Sequence, residues 1–466
     1  MEFNRLTDLH VDSLQAIVGE KYVLTDDESL KNASCDETED LCFAPDIVVR
    51  PASAREVSEI MKFASREKIP VTPRGGGTGL SGGALPVYGG IVLSMDRFDK
   101  VLEIDSENFF AVVEAGVITQ NFRDEVERVG LFYPPDPASR GSCFIGGNIA
   151  ENSGGPRAMK YGVTKDWVYG LEVVLPNGDI IDTGGKLIKN VAGYNLPQIF
   201  IGSEGTLGIV TKATMRLISK PRFSSLLLCA FDDPFVACGT VVVLRVSGIA
   251  PSACEFLERD ALAMAGKHLD KKIPNVESAA QLLIEIDSND EDRLSEEVEH
   301  AGKICYEYGS TDILIADTGA KVTELWEIRT AVGEAVKAHS VYKEEDTVVP
   351  PARLPDLYVG VKEICARRGV RSVCYGHAGD GNLHVNLLKD TLSDSEWKEK
   401  LPPAIDAIFS HCVSLGGTIS GEHGIGWSQK PWLHLALSEA EFNLMRRIKQ
   451  ALDPDGILNP GKVFDM

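Results

Sequence analysis

Apolar positions recur along this chain with two different periods. Val57, Ile60, Met61 and Ala64 are spaced as one face of a helix, and Ser53 with Glu56 forms a capping box that predicts its start. Strand-like runs flank it: Ile47-Val-Val-Arg before, Ile69-Pro-Val-Thr after, then Ile91–Ser94. Residues 1 to about 40 read as a helical, acidic, solvated lead-in. Pro221 marks a hinge, beyond which strands at 226–231, 282–287 and 312–316 alternate with helices at 234–247, 291–308 and 320–339. Short alternation of this kind predicts a ferredoxin-like antiparallel sheet with helices on one face. Ser438 and Glu441 box a last helix, closed by Asp453-Pro-Asp-Gly. The fold class is α+β, divided at 1–220, 221–420 and 421–466.

Length and charge narrow the partners. At 466 residues two or three domains are expected, and a net charge of −22 argues against nucleic acid or anionic membrane as a general partner. The N-terminus has neither a basic nor an apolar signal region, and runs such as Leu226–Phe231 are far too short to span a membrane. The ten cysteines contain no C-x-x-C pair, which speaks against an iron–sulfur cluster or zinc ribbon within the chain. Reduced structural thiols and a cytoplasmic location are the expectation.

Three glycine-rich zones interrupt the periodic segments. The first is Arg74-Gly75-Gly76-Gly77-Thr78-Gly79-Leu80-Ser81-Gly82-Gly83. Its bare backbone can lie against a ligand and its N–H groups can nest an anion, with Thr78 and Ser81 adding hydroxyls and Arg74 a charge. It also matches G-x-G-x-x-G, but Pro86, Gly89 and Gly90 leave no room for the helix a dinucleotide βαβ unit needs. The second zone runs from Pro134-Pro135-Asp136-Pro137 through Ser139, Ser142, Gly146-Gly147-Asn148, Ala150 and Ser153-Gly154, with Gly162 just beyond. The third is Gly202-Ser-Glu204-Gly205-Thr-Leu-Gly-Ile209. Because each glycine costs folding entropy, three such zones point to a large, elongated, phosphate-bearing cofactor rather than to turns alone.

Reactive side chains concentrate late. Tyr375-Gly-His377-Ala-Gly-Asp-Gly-Asn-Leu-His384-Val-Asn386 sets two histidines about a turn at Gly381, and Ser420-Gly-Glu422-His423-Gly follows. Two histidines and a carboxylate suit Zn²⁺, Fe²⁺ or Mn²⁺. Spacing alone leaves the alternative open that these are surface histidines flanking a hairpin. Taken alone, Arg329 reads as a surface helical arginine and Lys343 as a solvated loop lysine.

These motifs resemble the FAD-binding domain of the vanillyl-alcohol-oxidase/p-cresol-methylhydroxylase superfamily. Within it, nearly the whole chain is similar to the glycolate oxidase catalytic subunit and D-lactate dehydrogenase branch. The resemblance implies a two-subdomain FAD-binding domain, with residues 75–83 on the pyrophosphate. The 135–155 zone, Gly162 and the 204–210 turn would line the rest of FAD. The 421–466 segment would return to the flavin, where Asn459 would touch it. No histidine or tyrosine lies in the glycine loop to carry a covalent flavin, so FAD is expected to be non-covalent. His377, His384 and Glu422 match the family's metal triad, His423 its base, and Asn386 a pocket amide. Arg329 and Lys343 match its cations for the substrate carboxylate. A further family hydroxyl appears here as Gly333. The implied activity is oxidation of a small D-2-hydroxy acid, D-lactate or glycolate ahead of D-2-hydroxyglutarate. Electrons would pass to an electron-transfer flavoprotein or an iron–sulfur subunit. Two alternatives stand: a flavin oxidase or synthase of the same fold without metal, and a non-catalytic FAD relay, which would need no histidine cluster.

Overall fold

A computed structural model describes residues 3–316 and 318–465. Contacts divide the chain into two compact units, one of Met1–Ser153, Val163–Lys220 and Glu422–Met466, the other of Gly154–Gly162 and Pro221–Gly421.

The first unit is built on two sheets. In the smaller, Ile47–Val49, Ile91–Ser94 and Val71–Arg74 run parallel, with Ile91–Ser94 in the middle and the short strand Val23–Leu24 antiparallel at the edge. Helix Ala54–Glu67 connects the first two in sequence and buries Val57, Ile60, Met61, Phe63 and Ala64 against them. Its cap differs in detail from a capping box. Ser53 Oγ accepts from Glu56 N at 3.2 Å, but the Glu56 carboxylate accepts from Ala52 N, one residue further out. The crossover from Val71–Arg74 to Ile91–Ser94 contains no helix; it is the first glycine zone. Tail residues Ile457–Asn459 extend the edge strand: Val71 N donates to Ile457 O at 2.8 Å and Asn459 N to Val71 O at 2.7 Å. The larger sheet is antiparallel, in the order 101–105, 110–114, 209–216, 168–174, 180–184.

The second unit holds a seven-stranded, wholly antiparallel sheet, ordered 310–316, 223–231, 280–288, 253–258, 371–376, 382–388, 342–348. The expectation of helices on one face is corrected: both faces are covered. Leu226 and Leu228 pack with helices Arg259–Leu269, Gly319–Thr330 and Val332–His339. Leu227, pointing the opposite way, lies under Glu291–Glu307, where a Cβ on Gly302 would be 3.8 Å from it. Seven consecutive buried residues, Ala280–Ile286, follow from that double cover. The expected single helix at 320–339 is two helices meeting at Ala331.

Cys35 and Cys42 form a disulfide, which corrects the reading of all ten cysteines as reduced; the other eight are free and buried. No helix among the described residues is long and apolar enough to cross a membrane.

Candidate active site

Within the first unit the glycine zones meet around a cleft of about 1390 Å³, solvent at its mouth included. Arg74 to Gly79 form one wall, and Ser139, Gly146, Gly147, Asn148, Ala150 and Ser153 another. Glu204, Gly205, Ile209, Asn459, Glu422 and His423 complete the lining. Close approach explains the glycines. A Cβ on Gly76 would lie 2.4 Å from the Ser142 carbonyl, and one on Gly146 would lie 2.8 Å from Ala115 Cβ. Gly79 has nothing within 4 Å of such an atom, so open space lies in front of it. Gly146 to Asn148 form the start of the helix Ile145–Glu151, where sequence reading expected loop.

Several residues expected at the cofactor also brace the frame. Arg74 lines the cleft, but its Nη2 donates to the carbonyls of Cys35 at 2.7 Å and Asn32 at 3.3 Å. Burial lowers its pKa, and only Asp36 opposes that shift. A Cβ on Gly77, at φ +69°, would sit 2.4 Å from that nitrogen, so this glycine makes room for the guanidinium. Pro135 and Asp136 stand behind the wall, engaged by Arg123 at 3.0 and 3.8 Å. Ser81 is 1% exposed, and neither it nor Gly82 nor Ser142 lines the cleft. Gly154 and Gly162 bracket a segment of the second unit, tied there by Arg157 to Glu285 and by Tyr161 to Asp287. Asn459 donates to the carbonyls of Gly83 and Glu204 at 3.1 and 2.8 Å.

Two carboxyls border the cleft, Glu204 buried and Glu151 half-buried. Burial drives Glu151 well above the usual carboxylate range, and the charges of Glu204 and Asp36 add to it. Its Oε2 is buried without a hydrogen-bond partner. Glu204 is also raised by burial, against the opposing pull of the Ile425 and Gly426 N–H groups. Glu151 belongs to the quoted Asn-Ile-Ala-Glu motif, yet only burial singles it out. His423 Nε2 is 3.9 Å from its neighbour Glu422.

In the second unit the hairpin 371–388 brings the two histidines together, their rings edge to face at 5.3 Å. Gly381, at φ +88°, is required at the turn, since a Cβ there would lie 2.0 Å from Val349 O. His377 Nδ1 lies 2.9 Å from both oxygens of Glu255, and His384 Nδ1 lies 3.1 Å from Glu344. Carboxylates engaging Nδ1 leave Nε2 as the ligating atom, the usual arrangement behind metal-bound histidine, so these residues fit a divalent ion. Both histidines are buried, which removes the alternative of surface residues beside a turn. Asn386 is buried two residues along the strand from His384, on the same face and beside the Tyr375 hydroxyl.

Arg329 is 8% exposed, not a surface arginine: its Nε and Nη2 donate to Glu255 Oε2 at 2.7 and 2.6 Å. Burial would raise the Glu255 carboxyl, but His377 and Arg329 outweigh it and hold it below its ordinary value. Lys343 lies in strand Tyr342–Val348 and pairs with Leu387, one position out of phase with Glu344↔Asn386 and Asp346↔His384. Cross-strand partners share a face and successive residues alternate, so the backbone sets Lys343 on the face opposite His384 and Asn386. Glu344 takes the inward place. Sequence reading missed Glu255 and Glu344, both carboxylates on strands it did not mark.

The fold and cleft define a flavoprotein. Residues 45–184 match an FAD binding domain and residues 220–463 the C-terminal domain of FAD linked oxidases. The chain is 41% identical to the glycolate oxidase subunit GlcD of Bacillus subtilis, covering 92% of this chain and 91% of that one. It is 36% identical to D-lactate dehydrogenase of Anaerostipes hadrus, covering 99% and 98%. It is 35% identical to D-2-hydroxyglutarate dehydrogenase of Stutzerimonas stutzeri, covering 97% and 98%. The fold matches p-cresol methylhydroxylase with a TM-score of 0.82 at 18% identity, over 98% and 97% of the two chains. The chain belongs to the FAD-linked oxidase family, and it is an FAD-linked oxidoreductase of the glycolate oxidase/D-lactate/D-2-hydroxyglutarate dehydrogenase type.

Proposed function

We propose that this protein oxidises a small D-2-hydroxy acid, D-lactate or glycolate, to the 2-oxo acid and passes the electrons to a partner protein. The observation that carries the reading is the placement of His423 on the wall of the same cleft as Gly75–Gly79. A base beside a cofactor cradle is what a dehydrogenase requires and a relay does not. FAD, bound non-covalently, would supply the hydride acceptor, and a divalent ion would supply the charge that lowers the pKa of the substrate hydroxyl. The glycine walls admit the cofactor's phosphates, and His423 accepts the hydroxyl proton at its imidazole. His377, His384 and Glu422 are the residues that would hold the ion. Asn386 offers its amide to the substrate. Arg329, docked on Glu255, steadies His377 and presents the rest of its guanidinium to the substrate carboxylate. The acceptor is an electron-transfer flavoprotein or an iron–sulfur subunit, since the chain has no cluster motif of its own. A cytoplasmic location belongs to this reading; the Cys35–Cys42 disulfide is the observation that runs against it.

The test is anaerobic reduction of the purified holoprotein, followed by its visible absorption. D-lactate, L-lactate, glycolate and D-2-hydroxyglutarate are added in turn, before and after chelation. Bleaching by a D-acid or by glycolate, abolished by chelator and by His423→Ala, is the expected result. A flavin that stays oxidised with every acid in metal-replete protein overturns the proposal in favour of a synthase or relay.

A further inference from the structure

The segment Glu422–Ser428 carries both Glu422 and His423, yet it belongs to no helix or sheet. Its backbone amides must therefore find partners elsewhere or remain unpaired, and those partners decide where the imidazole stands. Glu204 supplies two of them. Ile425 N donates to its Oε1 at 2.8 Å and Gly426 N to its Oε2 at 2.6 Å. A second clamp follows at once: Trp427 N and Ser428 N donate to the Ser81 carbonyl at 2.8 and 3.0 Å. The glycines fit the segment closely to these anchors. At Gly424, φ +80°, a Cβ would lie 2.1 Å from Glu151 Oε2 and 3.2 Å from Glu204 Oε1.

Glu204 itself is held in a conformation its type avoids. Its φ is +52°, left-handed, a region that glycine or asparagine enters at less cost. A glutamate kept there is explained by what its side chain does, and both of its oxygens are committed to the His423 segment. With both oxygens taken, little remains of it for a cofactor.

We propose that Glu204 is the positioning residue of His423: its carboxylate fixes the Glu422–Gly426 backbone and thereby aims the base. This deepens the functional reading above and rests on it for the role of His423. Glu151 and Lys462 are the charged groups that interact with Glu204, with Asp36 acting on both of them, and none of the three replaces its two acceptor oxygens.

The experiment compares holoprotein with Glu204→Gln and Glu204→Asp at saturating added FAD. Three quantities are read: flavin bound per chain, kcat against KM for the reducing acid, and the rate at which diethyl pyrocarbonate modifies His423, mapped by peptide mass spectrometry. Gln presents an NH₂ where one backbone N–H now finds an acceptor. Its expected result is near-normal flavin content, kcat down by about 10²-fold with KM little changed, and faster modification of His423. Asp keeps both acceptors on a shorter stem and should restore part of kcat and part of the protection. Unchanged His423 modification in Glu204→Gln overturns the proposal, as does loss of flavin with His423 reactivity as in the parent. If the Gln variant does not fold, the Asp variant decides by the same readouts. A parent flavin that no hydroxy acid reduces would refute the functional reading, while the modification rates still decide whether Glu204 positions His423.

Discussion

The two units build their clusters of candidate residues from different materials. The cleft of the first is made largely of backbone: Gly75–Gly79 and Gly146–Gly147 lie close together because side chains are missing where the walls meet. The cluster of the second is made of side chains, with Glu255 joining His377 to Arg329, and Glu344 beside His384. The first should fail when volume is added, and the second when charge is removed. A cofactor presenting phosphates along its length can be met by repeated N–H groups. Charged side chains that must stay at fixed points are held best by a stiff sheet, as Glu255, His377 and His384 are here.

The largest effect is expected at Glu255. It is fully buried, and Glu255→Gln takes away the carboxylate that the buried Arg329 and His377 share. Removing one partner of a buried pair destabilises by about 3–5 kcal/mol, to be read as a shift in the denaturant midpoint of the second unit. A change under about 1 kcal/mol, the range of exposed ion pairs, would show that the cluster is not held by charge.

The contrasting test adds one methyl to the first unit. Gly76→Ala drives a Cβ against the Ser142 carbonyl and should part the two walls, lowering flavin affinity by tenfold or more, about 1.4 kcal/mol. Gly79→Ala sharpens the comparison, because open space surrounds that position. Any flavin lost by it reports a ligand lying against Gly79, and unchanged affinity would move the cofactor away from this wall. Flavin content and its dissociation constant are the measurements.

The same contrast explains what could be read from the sequence. Glycine zones are local: Arg74–Gly83 and Gly202–Ile209 announce themselves within ten residues, and both line the cleft. Helix Ala54–Glu67 was equally legible, because its cap and apolar face lie in one turn-by-turn pattern. The second unit was not. Strand Ala253–Glu258 buries all six of its residues, two glutamates included, so no alternation marks it, and Glu255 is 122 residues from the histidine it holds. Lys343 shows a related limit: a motif gives order along the chain, but a shift of one residue in a strand exchanges faces. Arg74 was legible as a residue of the cradle but not as a brace, because Asn32 and Cys35 come to it only in the fold.

The smallest effect on flavin affinity is expected where the cradle meets its strap. Cys35 and Cys42 close a loop of seven-residue separation that lies on the glycine zone: Arg74 Nη2 bonds the Cys35 carbonyl, and Thr38 Oγ1 reaches Gly79 O at 3.4 Å. A Cβ on Gly82 would also come within 3.9 Å of Leu41. Closing so short a loop restricts the unfolded chain by about 2–3 kcal/mol, so Cys42→Ser should lower unfolding stability by that amount. The strap also bears on Arg74 and Gly79, so flavin affinity should fall with it, though by less than in Gly76→Ala. Parallel denaturation and flavin titrations of the variant, with and without a dithiol reductant, separate the two contributions. If reductant leaves the parent's stability unchanged while Cys42→Ser lowers it, the cost comes from the serine and not from the opened bridge. If the bridge opens and the flavin holds as tightly as before, the cradle stands on its glycines alone, and the difference between backbone-built and side-chain-built halves is sharper still.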